Sequence, residues 1–234
     1  MGKSWKNAGK MENAQKKGKM FTKLAREIYV SAKLGGPDPE GNPRLKMAIR
    51  AALDVSCPKD TIDRAIKKGS GQLDDGSVIE EVMYEGYGPH QVGILVECQT
   101  DNRNRTVSEI RNVFNKNGGS MGESGSVAWM FDRVSLVAAS KENVGDHEED
   151  AIEVGANEVE HQEENLHHFF GAPEDLDEIR TALSDRGWDV QKAELSYKAK
   201  NVTDINEDQL QEVVALLDAL DDNDDSHRIH ATLS

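Results

Sequence analysis

The sign of the charge changes once along this chain, across the polar stretch 71–77, and that break constrains the fold more than any single motif. Residues 1–70 hold 16 Lys and Arg against 7 Asp and Glu, whereas the remainder holds 12 against 36. The overall net charge of −15 therefore hides a basic head on an acidic body. Such asymmetry points to a nucleic-acid or other anionic partner for the head. At 234 residues, with 37% hydrophobic and 30% charged side chains, the chain favours several small domains over one thick core.

The head reads as three short amphipathic helices. Residues 1–19 are rich in Lys, Asn and Gly, with Trp5 the only large apolar group before Met11, so this arm is expected to be loose. From Lys19 onward, Phe21, Leu24, Ala25, Ile28 and Ala32 fall at helical spacing. Gly35-Gly36-Pro37 ends that helix, and Asn42-Pro43 reads as the cap and first residue of the next. Leu45, Ala48, Ile49, Ala52 and Leu53 form the second stripe. Cys57-Pro58 opens a third helix, with Ile62, Ala65 and Ile66 inward and Gly69 at its end.

The cations lie mostly off these stripes. Lys3, Lys6, Lys10, Lys16 and Lys17 belong to the arm, and Lys19, Lys23, Arg26 and Lys33 to the first helix. Arg44, Lys46, Arg50, Lys59, Arg64, Lys67 and Lys68 follow on the other two. Together they predict a solvated cationic surface for phosphates. No helix here opens with the cluster of Asn, Gln, Arg and Ser that would read base edges.

Beyond the linker the pattern alternates between strands and helices. Strands are predicted over 78–85 and 91–100, with a turn at Gly86-Tyr87-Gly88-Pro89, then a helix over 106–117. A strand is predicted over 126–131, entered through the Gly-rich loop 118–125. That loop lacks the Gly-Lys-Ser/Thr ending of a phosphate-binding loop and precedes a strand. Segments 134–139, 148–155, 158–161, 166–170, 173–186 and 189–196 then give βαββαβ. A helix over 210–220 and a strand over 229–233 complete the interrupted first layer. The expected fold is thus α+β in three domains. Residues 1–77 form the helical head, 78–132 with 203–234 a discontinuous ferredoxin-like layer, and 133–202 a second such layer inserted in it.

Two polar runs invite chemistry. In Gln99-Thr-Asp-Asn-Arg-Asn-Arg-Thr106, Arg103 and Arg105 could clamp phosphates while Asn102 and Asn104 bond bases. An Asx-turn and helix cap with solvated arginines accounts for the same residues. Asp221-Asp222-Asn223-Asp224-Asp225 suggests a metal site, but consecutive acids do not converge on one ion, and a solvated acidic turn is expected instead. His167 and His168 alternate across a strand and cannot chelate together. Cys57 and Cys98 lie apart from any ligand-spaced partner, so neither a disulfide framework nor a zinc site is expected. No catalytic arrangement, metal or cofactor is predicted. The apolar runs are strand-length, the first twenty residues have no hydrophobic signal core, and Lys6 stands where a myristoylation signal needs Ser or Thr. A cytoplasmic protein is expected.

Several motifs together carry a resemblance. Phe21-Thr-Lys-Leu24, Leu34-Gly-Gly-Pro-Asp-Pro39, Asn42-Pro-Arg-Leu45, Asp60-Thr-Ile-Asp-Arg-Ala-Ile66, Tyr84-Glu-Gly-Tyr-Gly-Pro89 and Thr100-Asp-Asn-Arg-Asn-Arg-Thr106 resemble the YebC family. The likeness is specific from about residue 16 to 131 and looser from 134 onward. It implies a helical domain with two α/β domains, one inserted in the other, and a nucleic-acid-binding regulator without catalytic activity. Within that family two roles are described, promoter DNA binding and action on translating ribosomes, including a mitochondrial translational activator of cytochrome c oxidase. The expected function is accordingly a YebC-like transcriptional regulator binding DNA through its head. The alternatives are a ribosome-associated translation factor binding ribosomal or messenger RNA, and an adaptor that docks a basic protein on its acidic body. One departure stands at the start, where many members begin Gly-His-Ser-Lys-Trp and this chain reads Gly2-Lys3-Ser4-Trp5-Lys6. No role of that His carries over, while Trp5 keeps the capacity to stack on a base or ribose.

Overall fold

The computed structural model describes residues 4–73, 76, 78–142, 145–162 and 165–233, with side chains from Lys16 onward. The chain divides into two compact units, one comprising the residues up to Ala128 with Thr203–Ala231, the other Trp129–Val202. The fold is mixed α and β, with seven helices and two antiparallel sheets among the described residues.

In the first unit, α1 (Ser4–Gly35), α2 (Pro43–Asp54) and α3 (Lys59–Gly69) pack on one another. Ile28, Ala32, Leu45, Ala48, Ala52, Cys57, Ile62 and Ala65 form their shared core. Asn42 ties the helices together. Its Oδ1 accepts from the Leu45 amide at 3.1 Å, and its Nδ2 donates to the Ser31 and Gly36 carbonyls at 2.8 and 2.9 Å. Gly36 ends α1 at a φ of +88°, a left-handed conformation that glycine adopts without strain.

The arm departs from expectation, since α1 begins at Ser4 rather than near Lys19. Burial is not needed to explain this. Once residues 19–34 are helical by packing, each preceding residue adds a hydrogen bond at propagation cost only. Ala, Lys, Met, Glu and Gln, which dominate 8–17, are good helix formers.

The same unit holds β1 (Glu80–Tyr87), β2 (Gly93–Thr100), α4 (Arg103–Lys116), β3 (Ser120–Met121), α7 (Glu207–Asp221) and β8 (Ser226–Ala231). Their sheet has the order β3-β1-β2-β8. Alternation along β2 sends Ile94, Val96 and Cys98 to one face and Leu95, Glu97 and Gln99 to the other. Fully buried Ile110, Phe114, Val213, Leu216 and Leu220 supply the apolar packing from α4 and α7.

No strand forms over 126–130. The chain instead makes a single 3-10 turn at Ala128–Met130 before β4 begins at Phe131. The alternating apolar pattern there is overridden by Glu85, whose buried carboxylate accepts the amides of Gly125, Val127 and Ala128 at 2.7 Å each. Burial opposes ionisation of Glu85, but these three donors hold its carboxyl below the ordinary range.

The second unit runs β4 (Phe131–Ser140), α5 (His147–Glu153), β5 (Glu158–His161), β6 (Leu166–Gly171), α6 (Leu176–Asp185) and β7 (Asp189–Ala199). Its sheet order is β5-β6-β4-β7, and Phe169, Ile179, Leu183 and Trp188 fill its core. His167 points inward from β6, its ring centroid 5.1 Å from that of His147, 4.9 Å from His161 and 5.2 Å from Trp188.

Candidate nucleic-acid interface

Helix α1 is two-sided. Phe21, Leu24, Ala25, Ile28 and Ala32 face the helical core, while Lys19, Lys23 and Arg26 recur at 4- and 3-residue spacing on another side. This second stripe meets the turn between α7 and β8. Lys19 Nζ donates to the Asp222 carbonyl at 3.0 Å and to its Oδ1 at 3.1 Å, with Asp224 Oδ1 at 3.7 Å. Lys23 Nζ bonds the Asp221 carbonyl and lies 3.2 Å from its Oδ1. Arg26 bonds the Asp224 carbonyl and reaches Asp225 Oδ1 at 2.9 Å. The C-terminus of α7 carries unsatisfied carbonyls and the negative end of a helix dipole, so cations are favoured there even before the aspartates are counted. The hydrogen bond to Asp222 leads the influences that raise the Lys19 pKa.

The acidic run is solvated at Asp221, Asp222 and Asp224, as the sequence suggests, but not at its last residue. Asp225 in particular is 2% exposed. It accepts from Thr106 Oγ1 at 2.6 Å and from Arg105 Nη2 at 2.8 and 3.0 Å. Burial opposes its ionisation, but Thr106, Arg105 and Arg26 outweigh that and lower its pKa. Among the described residues, no group of His, Cys, Asp and Glu could hold a metal ion.

Asp225 also decides the geometry of the Asn/Arg run. Asn102 caps α4 by accepting the Arg105 amide at 3.1 Å, and Arg105 bonds Asp101 at 3.0 Å besides Asp225. Arg105 is thus ion-paired while its side chain remains 41% exposed. Arg103 and Asn104 point outward, Arg103 being 66% exposed with Glu80 at 3.9 Å.

Arg44, expected on the solvated surface, is engaged as well. Its Nε and Nη2 bond Glu27 at 2.8 and 3.0 Å, and Nη2 reaches Glu81 at 2.7 Å. Glu27 is 7% exposed and also receives Gln99 Nε2 at 2.6 Å, with His227 Nε2 at 3.0 Å. Burial alone would raise the Glu27 pKa, but His227 and Arg44 hold it well below the ordinary carboxylate range. Lys46 pairs with Glu40 at 3.0 Å in solvent, a contact worth at most about 1 kcal/mol. Lys33 donates to the Ile79 carbonyl at 3.3 Å.

What remains outward is narrower than composition implies. Lys59, Arg64 and Lys67 lie on the exposed arc of α3, and Lys17 on α1, with no partner among the described residues. Asp60 and Asp63 share that arc. Lys16 and Arg50 are exposed and Lys68 half-buried. The side chains of Lys3, Trp5, Lys6 and Lys10 lie outside the described residues. Cys57 and Cys98 are buried free thiols, and burial pushes Cys98 up to about 12.

Comparison with known proteins places this geometry. Residues 2–72 match the model of the TACO1/YebC protein N-terminal domain, and residues 79–233 that of the TACO1/YebC second and third domain. The chain belongs to the TACO1/YebC family. It is 62% identical over 233 residues, all of both chains, to a probable transcriptional regulatory protein of Bdellovibrio bacteriovorus. It is 42% identical to the probable transcriptional regulatory protein YrbC of Bacillus subtilis, over 97% of this chain and 95% of that one. The crystal structure of a conserved hypothetical protein of Aquifex aeolicus superposes with a TM-score of 0.84 at 44% identity, covering 93% of this chain and 90% of the other. These two relatives carry the names of regulators, not of enzymes. No helix among the described residues is long and apolar enough to cross a membrane.

For this YebC-family chain, reading the sequence missed Glu27, Gln99, Thr106 and Asp225 as organising residues. The one available signal was the acidic run itself, five residues that include four carboxylates just after an apolar helix. Its partners lie about 200 positions away, and no local pattern names them.

Proposed function

We propose that this protein is a non-enzymatic, cytoplasmic, nucleic-acid-binding regulator of gene expression whose helical head grips the phosphate backbone. The observation that supports the reading is the outward placement of Lys59, Arg64 and Lys67 on a rigid, packed helix. Phosphate contacts of this kind supply affinity that falls steeply with salt and carries little sequence information. The names of the relatives favour DNA as the target. In this reading the head (1–77), the discontinuous α/β domain (78–132 with 203–234) and the inserted domain (133–202) act as three working parts.

A second reading, a translation factor on folded RNA, draws on the same arc. It offers Lys59, Arg64 and Lys67 interrupted by Asp60 and Asp63, without an Asn/Gln/Arg cluster to read base edges. RNA recognised by shape and phosphate position needs no such cluster. Crosslinking in living cells, followed by sequencing of attached nucleic acid, separates the two. Wild type would be compared with K59E/R64E/K67E. Discrete chromosomal peaks lost in the variant support DNA regulation, and reads on ribosomal or messenger RNA lost in it support the translation role. Attachment that ignores the charge reversal rejects the outward arc of α3 as the binding surface.

A further inference from the structure

The cations of α1 present an unusual arrangement for a nucleic-acid-binding helix. Lys19 and Lys23, on one side of α1, already hold oxygens of the turn after α7. Those oxygens are of two kinds, carboxylate and helix-terminal carbonyl, and both present partial or full negative charge to an ammonium group, as a phosphate does.

The turn is not uniform in how firmly it is held. Asp225 is buried, bonded by Thr106 and two arginines, and belongs to the core of the unit. Asp221, Asp222 and Asp224 have side chains 73%, 74% and 62% exposed, and each touches α1 cations from the solvent side. Exposed pairs of this kind contribute little to stability and are screened by salt. They are strong enough to occupy a cation and weak enough to be exchanged. The arc left outward on α3 holds three cations and two acids, so the lysines of α1 are the larger reserve of positive charge.

We infer that Lys19 and Lys23 form a second phosphodiester-binding site, occupied in the free protein by its own Asp221, Asp222 and Asp224, which nucleic-acid phosphates displace. This rests on the phosphate-binding reading of the head. Displacement leaves the Asp225 anchor in place, so the head stays attached while the outer carboxylates turn to solvent. Binding then requires a polyanion dense enough to outcompete three tethered carboxylates. Isolated anions meet that condition poorly, and a continuous phosphate backbone meets it well.

The test is a titration of labelled duplex DNA and of a folded RNA hairpin at several salt concentrations, followed by fluorescence anisotropy. Three full-length proteins are compared: wild type, D221N/D222N/D224N, and E174Q/E178Q/D185N. The last removes the same charge from exposed positions of the second unit. The inference expects the aspartate variant alone to bind about tenfold tighter, with a log–log salt slope steeper by about two. Adding K19Q/K23Q to that variant should abolish the gain. D222N alone, the mildest change, should move both readouts in the same direction. Equal tightening in both charge variants, or an unchanged slope, overturns the inference while leaving the proposed function standing. No binding by any of the three overturns both.

Discussion

Arg44 grips Glu27 side-on, with Nε on Oε1 at 2.8 Å and Nη2 on Oε2 at 3.0 Å, so a helix of the head is fastened to α1 through a buried carboxylate. The same carboxylate accepts from Gln99 of β2, and His227 Nε2 of β8 lies 3.0 Å from it. One side chain therefore connects α1, α2 and the sheet.

Removing it should be severe. Glu27→Ala leaves Arg44, Gln99 and His227 without their shared carboxylate, and losing one partner of a buried pair destabilises by about 3–5 kcal/mol. Peptide-resolved hydrogen exchange should show lost protection in α1, α2 and β2 together, while the second unit is unchanged. Loss confined to α2 would show that the carboxylate does not link the elements.

Acid should act on the first unit through Glu27 and Asp225. Both have folded-state pKa values below their unfolded ones, so the unfolded chain binds more protons in the acid range. Their contribution is complete above the unfolded values, about 4, and is lost as pH falls through the folded ones. Protection of α1 and β2 should be level from about pH 7 to 5 and decline below about 4, and D225N should shrink that decline. A decline that begins near neutrality would contradict this assignment.

The second unit should soften at a higher pH. Burial depresses the His167 pKa, the Asn165 carbonyl opposes it in part, and the neighbouring His161 and His147 add smaller depressions. The folded unit thus binds fewer protons than the unfolded one. Its stability from this group is present above the unfolded pKa of about 6.5 and is lost as pH falls through the lower folded value. Protection in β6 and β7, taken relative to the intrinsic amide exchange rate at each pH, should decline between about pH 6.5 and 5, and His167→Phe should remove the effect. Protection that stays level to pH 5 in wild type would rule it out.

Gly69 lies at a close approach of α3 to α1. A Cβ there would lie 2.3 Å from the Tyr29 carbonyl oxygen and 3.0 Å from Ala32 Cβ, and backbone cannot swing aside. Gly69→Ala should cost about 2 kcal/mol through forced separation of the helices. Gly41→Ala, whose added Cβ meets nothing nearer than 3.9 Å, should be nearly neutral. Chemical denaturation of the two variants followed by circular dichroism makes the comparison.

The elements that could be read from sequence were those decided locally. Asn42-Pro43 starts α2 because the cap needs only the Leu45 amide three residues on, and Asn102 caps α4 in the same way. The strand expected over 126–131 failed because Glu85, some 40 positions earlier, takes the amides that a strand would have used. The arm is helical because its good helix formers extend a helix already nucleated by the packed residues from Lys19 onward, a dependence its own composition does not reveal.

The candidate site divides along the same line. Sequence by itself determined that the head is basic, that its apolar stripes leave cations outward, and that the body is acidic, since these follow from spacing along a helix. Only the tertiary structure decided which cations are already neutralised. Lys19, Lys23, Arg26 and Arg105 find carboxylates 120 to 203 positions away. Coulomb energy depends on distance through space and on local screening, and separation along the chain reports neither.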